Sequence, residues 1–343
     1  MASHRILLLC GGQSEEHQVS LASARSVITS AGPEISITPL VIDRSGYLLP
    51  PDDSQKALER GEAAKRSSLD SRNSSGLAKL DPQEYDVVFP LLHGPYGEDG
   101  TVQGLLELIG LPYVGSGVLG SAVGMDKLMM KSVFASHDLP QVRYLGVNRH
   151  DWRHHQDRVL EALTIMNFPL FIKPANLGSS VGISKVANDS EAVAALGEAF
   201  RHDRRVIVEA GVIGARELEV GVLGNEQPAT SPVGEISFET EFYDYHTKYT
   251  AGRAQLTIPA EIPTEIALRC QDMAERAFLA IDAAGLARVD FFYLDKPGEV
   301  LINEINTMPG FTKTSMYPRL WAAAGIPYPE LVERLLSLAL EER

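Results

Sequence analysis

A chain of 343 residues, 44% hydrophobic and 22% charged, is long enough for two or three packed units and too apolar to be disordered. Its formal net charge of −14 makes nucleic acid and anionic membrane poor partners, so an anionic substrate must be met by a local cluster of cations. The two cysteines, Cys10 and Cys270, offer neither a metal-ligand spacing nor a disulfide framework, and the reducing cytoplasm is the expected compartment.

The chain begins with an apolar run from Ile6 into Cys10-Gly11 that mimics a lipoprotein signal. It is shorter than the ~7–15 residues of a secretory core, and Leu9 is too large for a cleavage site, so Cys10 is expected at the buried end of a first strand. No run approaches ~18 apolar residues, and no membrane span is expected. After Gly11-Gly12, Ser14 stands where an N-cap belongs, ahead of Leu21, Ala24, Ile28 and Ala31 at helical spacing. Ile35–Ile42 and Asp86–Leu92 read as further strands and Thr101–Gly110 as a helix, a strand–helix alternation that predicts a parallel sheet with its crevice at the strand C-termini. Between them, Pro51–Gln83 reads as a polar surface excursion.

From Ser116 onward, Asp126–Asp138 and Asp189–Phe200 read as helices, and Phe168–Pro174, Gly182–Val186 and Arg205–Ala210 as strands. Antiparallel signals then dominate. Leu218–Leu223 and Val233–Phe238 read as neighbouring strands, Pro263–Ala284 as a long helix, and Ala287–Asp295 with Val300–Asn306 as a hairpin. Helices near Tyr317–Ala324 and Pro329–Glu342 close the chain.

The hairpin carries the strongest chemical signal. Alternate strand residues share a face, so Arg288 points with Asp290 and Glu304 with Asn306. If the strands pair, Asp290, Glu304 and Asn306 converge as hard oxygen ligands of the kind magnesium selects. Polar residues alternating on a strand are ordinarily its solvent face, but Val289, Phe291, Ile302 and Ile305 predict a buried sheet here. Upstream, Lys173-Pro174 precedes Gly178-Ser179-Ser180-Val181-Gly182. Small residues admit backbone N–H groups to phosphate oxygens, although such loops are most often plain turns and the order is not that of a Walker motif. Lys127 is a further cation. Glu209 and Glu217 read either as acceptors for adenine and ribose or as ordinary surface acids. Near the N-terminus, Glu16 opens a helix and complements its dipole, and His93 ends a strand inside a glycine-rich loop.

Taken in order, these segments resemble the D-alanine–D-alanine ligase family of the ATP-grasp superfamily. The resemblance is carried by Gly11-Gly12 to Ser20, His93-Gly94 with Gly97-Glu98-Asp99-Gly100, Met125-Asp126-Lys127, Lys173-Pro174 with its loop, and Arg216-Glu217-Leu218. It continues through Tyr243-Asp244-Tyr245 with Lys248-Tyr249, Arg288-Val289-Asp290, Glu304 to Gly310, and Thr312 to Met316. It implies an α+β / α/β fold of three domains. These are an N-terminal parallel-sheet (pre-ATP-grasp) domain over 1–115 and two ATP-grasp subdomains over 116–208 and 209–343.

The resemblance also implies roles. ATP would lie between the second and third domains, its phosphates on Lys127, Lys173, Ser179, Ser180 and Lys248 and its adenosine on Glu209 and Glu217. Two Mg2+ ions, with Mn2+ as a substitute, would sit on Asp290, Glu304 and Asn306. Glu16, linked to Ser179 and Tyr249, would bind the first D-alanine beside His93. Arg288 and the Gly310 N–H would stabilise an oxyanion, and Ser315 and Met316 would take the second substrate. The implied reaction is ligation of two D-alanines for peptidoglycan by a cytoplasmic homodimer. Another ATP-grasp carboxylate–amine ligase, or a D-alanine–D-lactate ligase, stays open as an alternative.

Overall fold

The computed structural model describes residues 4–32, 35–62, 80–178, 182–238 and 254–341. Its first part holds β1 (His4–Gly11), α1 (His17–Ile28), β2 (Ile35–Ile42), α2 (Pro51–Arg60), β3 (Val87–Leu91) and α3 (Thr101–Ile109). The three strands form a parallel sheet in the order β2-β1-β3. From Ile6 onward strand β1 is apolar and buried because both of its faces are covered. Ile6, Leu8 and Cys10 pack with Leu21, Ala24 and Val27 of α1, while Leu7 and Leu9 pack with Val102 and Leu106 of α3.

Two local expectations change. Helix α1 starts at His17 with Glu16 at its cap, because the Ser14 hydroxyl and carbonyl instead accept from the N–H groups of Glu16 and His17 and close a turn before the helix. The polar stretch after Pro50 begins as helix α2, with Pro51 in its first turn and Gly61 in the left-handed conformation beyond its end. It turns Ser54, Ala57 and Leu58 inward and its charged residues outward.

The middle of the chain runs α4 (Val118–Met125), α5 (Lys127–Ser136), β4 (Tyr144–Asn148), α6 (Arg149–His154), α7 (Gln156–Met166), β5 (Leu170–Pro174), β6 (Ser184–Val186), α8 (Asp189–His202) and β7 (Arg205–Ala210). Here the sheet is antiparallel, in the order β4-β7-β5-β6. One face, with Val147, Leu170, Ile172, Val206 and Val208, is closed by α7 and α8. The register puts Tyr144, Glu209, Phe171 and Lys173 on the other face.

The last part contains β8 (Arg216–Gly224), β9 (Ala229–Thr230), β10 (Gly234–Phe238), β11 (Ala254–Thr257), α9 (Thr264–Ala280), β12 (Gly285–Leu294), β13 (Glu299–Asn306), α10 (Met316–Ala323) and α11 (Tyr328–Ala339). Its sheet runs β11-β10-β8-β12-β13, with β9 beside β8. Packing joins pieces of chain across the three sequence-based units. Met130 and Phe134 of α5 enter the core beneath the large sheet with Met273, Ala277 and Phe278 of α9. Tyr317, Trp321, Leu331 and Leu335, from the end of the chain, belong to the same hydrophobic core as Ile6 and Leu8 of β1.

Candidate active site

The register of β12 and β13 creates the centre of the site. Arg288 pairs with Asn306 and Asp290 with Glu304, and directly opposite residues in an antiparallel ladder share a face. One residue later the ladder slips, so that Phe291 pairs with Ile302. The extra residue, Asn303, is a β-bulge, and it lets Ile302 face the core while Glu304, two positions on, faces the site. On the other side of β12, Asp290 pairs with Glu219 of β8. Glu219, Asp290 and Glu304 therefore form a row of carboxylates across three strands. Arg288 ties it together, donating to both oxygens of Asp290 at 2.7 and 2.6 Å and pairing with Glu219 at 2.9 Å. Asn306 donates its amide N–H to Asp290 at 3.1 Å, which leaves its carbonyl oxygen as a ligand.

Cations from α5 and the central sheet meet this row. Asp126 caps α5 by accepting from the N–H groups of Leu128 and Met129, and it pairs with Arg205. This sets Lys127 with its ammonium 3.6 Å from Glu304 and donating at 2.9 Å to the Leu177 carbonyl, at the start of the glycine loop. Lys173 ends β5 and pairs with Glu209 at 2.5 Å, and Lys131 meets the other Glu209 oxygen at 2.8 Å. Burial alone would raise the Glu209 carboxyl. The two lysines outweigh it and hold the group well below the usual carboxylate range. For Lys173, burial works against the charged form, and the charges of Glu209 and then Glu304 override it. Glu217 lies two residues before Glu219 on β8 and adds to the same field.

At the C-terminal edge of the parallel sheet, Ser20 stitches two strand ends together. It accepts from the Gly11 N–H at 2.7 Å and donates to the Leu91 carbonyl. Glu16 and His93 follow those strand ends. The His93 Nδ1–H donates at 3.0 Å to the Met308 carbonyl, tying this edge to the segment after β13. A methyl group placed on Gly178 would lie 3.5 Å from Glu16 Oε2 and 4.0 Å from Glu98 Oε1, so Gly178 stands against two neighbouring acids. Burial, and then the Glu16 charge, push the Glu98 carboxyl up to about 8. Beyond β13, a methyl group on Gly310 would sit 3.3 Å from Ser315 Oγ, and Ser315 is the N-cap of α10. The Met316 side chain is buried, so only its backbone N–H is suited to an anion at this helix start.

The structure thus gathers Asp290, Glu304, Asn306, Arg288, Lys127 and Lys173 at one place, with Glu16 at the adjoining sheet edge. Ser179, Ser180, Lys248 and Tyr249 lie outside the described residues. Sequence reasoning missed three members of the site. Glu219 shares a face with Glu217, Lys131 stands one helical turn beyond Lys127, and Glu98 sits in the histidine loop; the same periodicities would have found the first two.

An antiparallel sheet bearing lysines, facing a second sheet bearing a carboxylate row, behind a parallel-sheet N-terminal part, is the ATP-grasp architecture. Family models described as D-ala D-ala ligase N-terminus and D-ala D-ala ligase C-terminus match residues 5–116 and 133–337. The chain belongs to the D-alanine–D-alanine ligase family. A curated D-alanine–D-alanine ligase of Deinococcus radiodurans is 56% identical over 341 residues, which cover 99% of each chain. Among solved structures, the D-alanine–D-alanine ligase of Coxiella burnetii is similar with a TM-score of 0.80 at 35% identity, covering 99% of this chain and 94% of that one. The VanG D-Ala:D-Ser ligase of Enterococcus faecalis is similar with a TM-score of 0.83 at 33% identity, covering 98% and 99%.

Proposed function

We propose that this protein is a cytoplasmic, ATP-dependent ligase that joins two D-alanines into the dipeptide used in peptidoglycan synthesis, by way of a D-alanyl phosphate. The observation that carries this reading is the carboxylate row on β8, β12 and β13, bound to Arg288 and faced by Lys127 and Lys173. Asp290, Glu304 and Asn306 offer the hard oxygen donors that two magnesium ions need, with manganese as a substitute. When bound, such ions neutralise phosphate oxygens.

A carboxylate resists attack by an amine because its oxygen is a poor leaving group. Transfer of the γ-phosphoryl group to the carboxylate of the first D-alanine releases ADP and makes phosphate the leaving group. That step needs positioning and charge neutralisation, and Lys127 and Lys173 supply both from the protein side. Glu209 stands behind Lys173, and we assign it to the lysines and not to a base; Glu217 is left toward the ribose. Glu16 receives the ammonium of the first D-alanine beside His93. The amine of the second D-alanine, its carboxylate held by Ser315 and the Met316 N–H, attacks the acyl carbon. The oxyanion formed is met by Arg288 and the Gly310 N–H, and phosphate leaves as the amine loses its proton. The acyl phosphate must also be shielded from water, which would hydrolyse it. The exposed Leu108 and Leu119, on the adjoining helices α3 and α4, suit the homodimer that the resemblance implies.

The test supplies ATP, Mg2+ and D-alanine with equal D-lactate and D-serine near neutral pH, and identifies the product. D-alanyl-D-alanine should dominate. A dominant ester or D-alanyl-D-serine product would overturn the second substrate, and phosphate release indifferent to D-alanine would overturn the ligase reading.

A further inference from the structure

Lys131 is among the largest fully buried side chains of the protein, with 1% of its side chain exposed. A lysine so placed is costly unless its charge is used. Its ammonium pairs with Glu209 at 2.8 Å, donates to the Asn303 carbonyl at 3.4 Å, and lies 5.8 Å from the centre of the Tyr144 ring. Glu209, itself only 5% exposed, also pairs with Lys173, which is the most open of the three at 13%. Two ammoniums and one carboxylate leave a single positive charge on the triad. The burial gradient delivers that charge at Lys173, the most open end of the triad.

We infer that Lys131 is a positioning residue for ATP: it satisfies Glu209 from within, so that Lys173 is free to commit its charge to the phosphates. This rests on the ATP reading above and extends it to a residue that touches no substrate. Were Lys131 neutral, Glu209 would keep Lys173 as its sole counter-ion, and the pair would present no net charge to the triphosphate. The effect is confined to the phosphate end of the nucleotide. Adenosine contacts cancel when ATP and AMP are compared, and so does any general loosening of the fold.

The experiment measures ATP and AMP affinities calorimetrically, with Mg2+ and without D-alanine, for the full-length wild type, Lys131→Met and the double variant Lys131→Met/Glu209→Gln. Failure of the ligase reading would appear in the wild type as absent ATP binding or absent D-alanine turnover, independently of the variants. Lys131→Met is expected to cut the preference for ATP over AMP by roughly 10- to 100-fold, the scale on which supporting partners of a site act. The double variant should recover most of that preference, because removing the carboxylate releases Lys173. Where Lys131→Met alone does not fold, recovery of the preference in the double variant carries the same meaning. An unchanged preference in folded Lys131→Met, or a double variant without recovered preference, would overturn the inference.

Discussion

Glu304 sits on β13 opposite Asp290 and 3.6 Å from the Lys127 ammonium, so on the proposed function its charge serves a metal and a lysine together. Glu304→Gln keeps the shape and removes the charge. It should nearly abolish D-alanine-dependent phosphate release and weaken divalent-ion binding while the melting temperature holds; unchanged turnover would remove Glu304 from the metal site. Arg288 is only 9% exposed and holds two carboxylates. Arg288→Ala should slow the chemical step ~10²-fold or more, as loss of an oxyanion donor does. It should also lower stability, since it strands Glu219 and Asp290 without their cation. A change confined to the Michaelis constants would place Arg288 in ground-state binding. Glu98 gives a pH signature. Its carboxyl, ordinarily near 4.5, is held at about 8, so the folded protein binds a proton that the unfolded chain has released. Its contribution to stability is full below 4.5 and is lost as pH rises through 8. Glu98→Gln should therefore raise the melting temperature relative to wild type more at pH 9 than at pH 5, and an equal shift at both would contradict the assignment. Asp290, Glu304, Asn306 and Arg288 were legible from strand alternation alone. Glu98 was not, because its importance lies in Glu16, a neighbour distant in sequence, whereas Lys131 was within reach of helical spacing from Lys127.

The hairpin was legible as an element, and so was β8 beside it, since apolar runs mark them plainly. The bulge was not. Strict alternation would put Ile302 on the face of Glu304, and only the slip at Asn303 separates them. Deleting Asn303 would leave Ile302 and Glu304 adjacent, so plain alternation keeps them on opposite faces and the ladder becomes regular. The deletion variant should fold and retain measurable turnover, and a variant that loses both would show that the kink of the bulge is itself required. The docking of α10 on β8 offers a second check. A methyl group on Gly221 would meet Trp321 Nε1 at 3.0 Å and Tyr317 ring carbons at 3.3 Å. Gly221→Ala should cost about 1–3 kcal/mol in chemical denaturation through overpacking. Helix α6 escaped the sequence reading because it buries no side chain, whereas α7 was overlooked although Val159, Leu163 and Met166 recur at helical spacing, and α2 because its buried face is only Ser54, Ala57 and Leu58 in a polar stretch.

Across the whole molecule, the chain's last helices complete the core begun by its first strand, a closure that no local pattern encodes. Leu331 of α11 is fully buried in the cluster containing Ile6 and Leu8. Leu331→Ala should destabilise that core by roughly 2–5 kcal/mol, and hydrogen exchange should rise in β1, more than three hundred residues away, before it rises in the central sheet. Protection lost evenly throughout would mean that the three sheets melt as one unit. The same closure brings the Glu16 edge, the lysines and the carboxylate row to a common place, where phosphoryl transfer to a carboxylate is the chemistry best served. The direct test uses D-alanine labelled with heavy oxygen in its carboxylate, ATP and Mg2+, and mass analysis of the released phosphate. One labelled oxygen should appear in phosphate for each dipeptide formed. Phosphate released without label, alongside dipeptide, would contradict an acyl phosphate and with it the role given to this site.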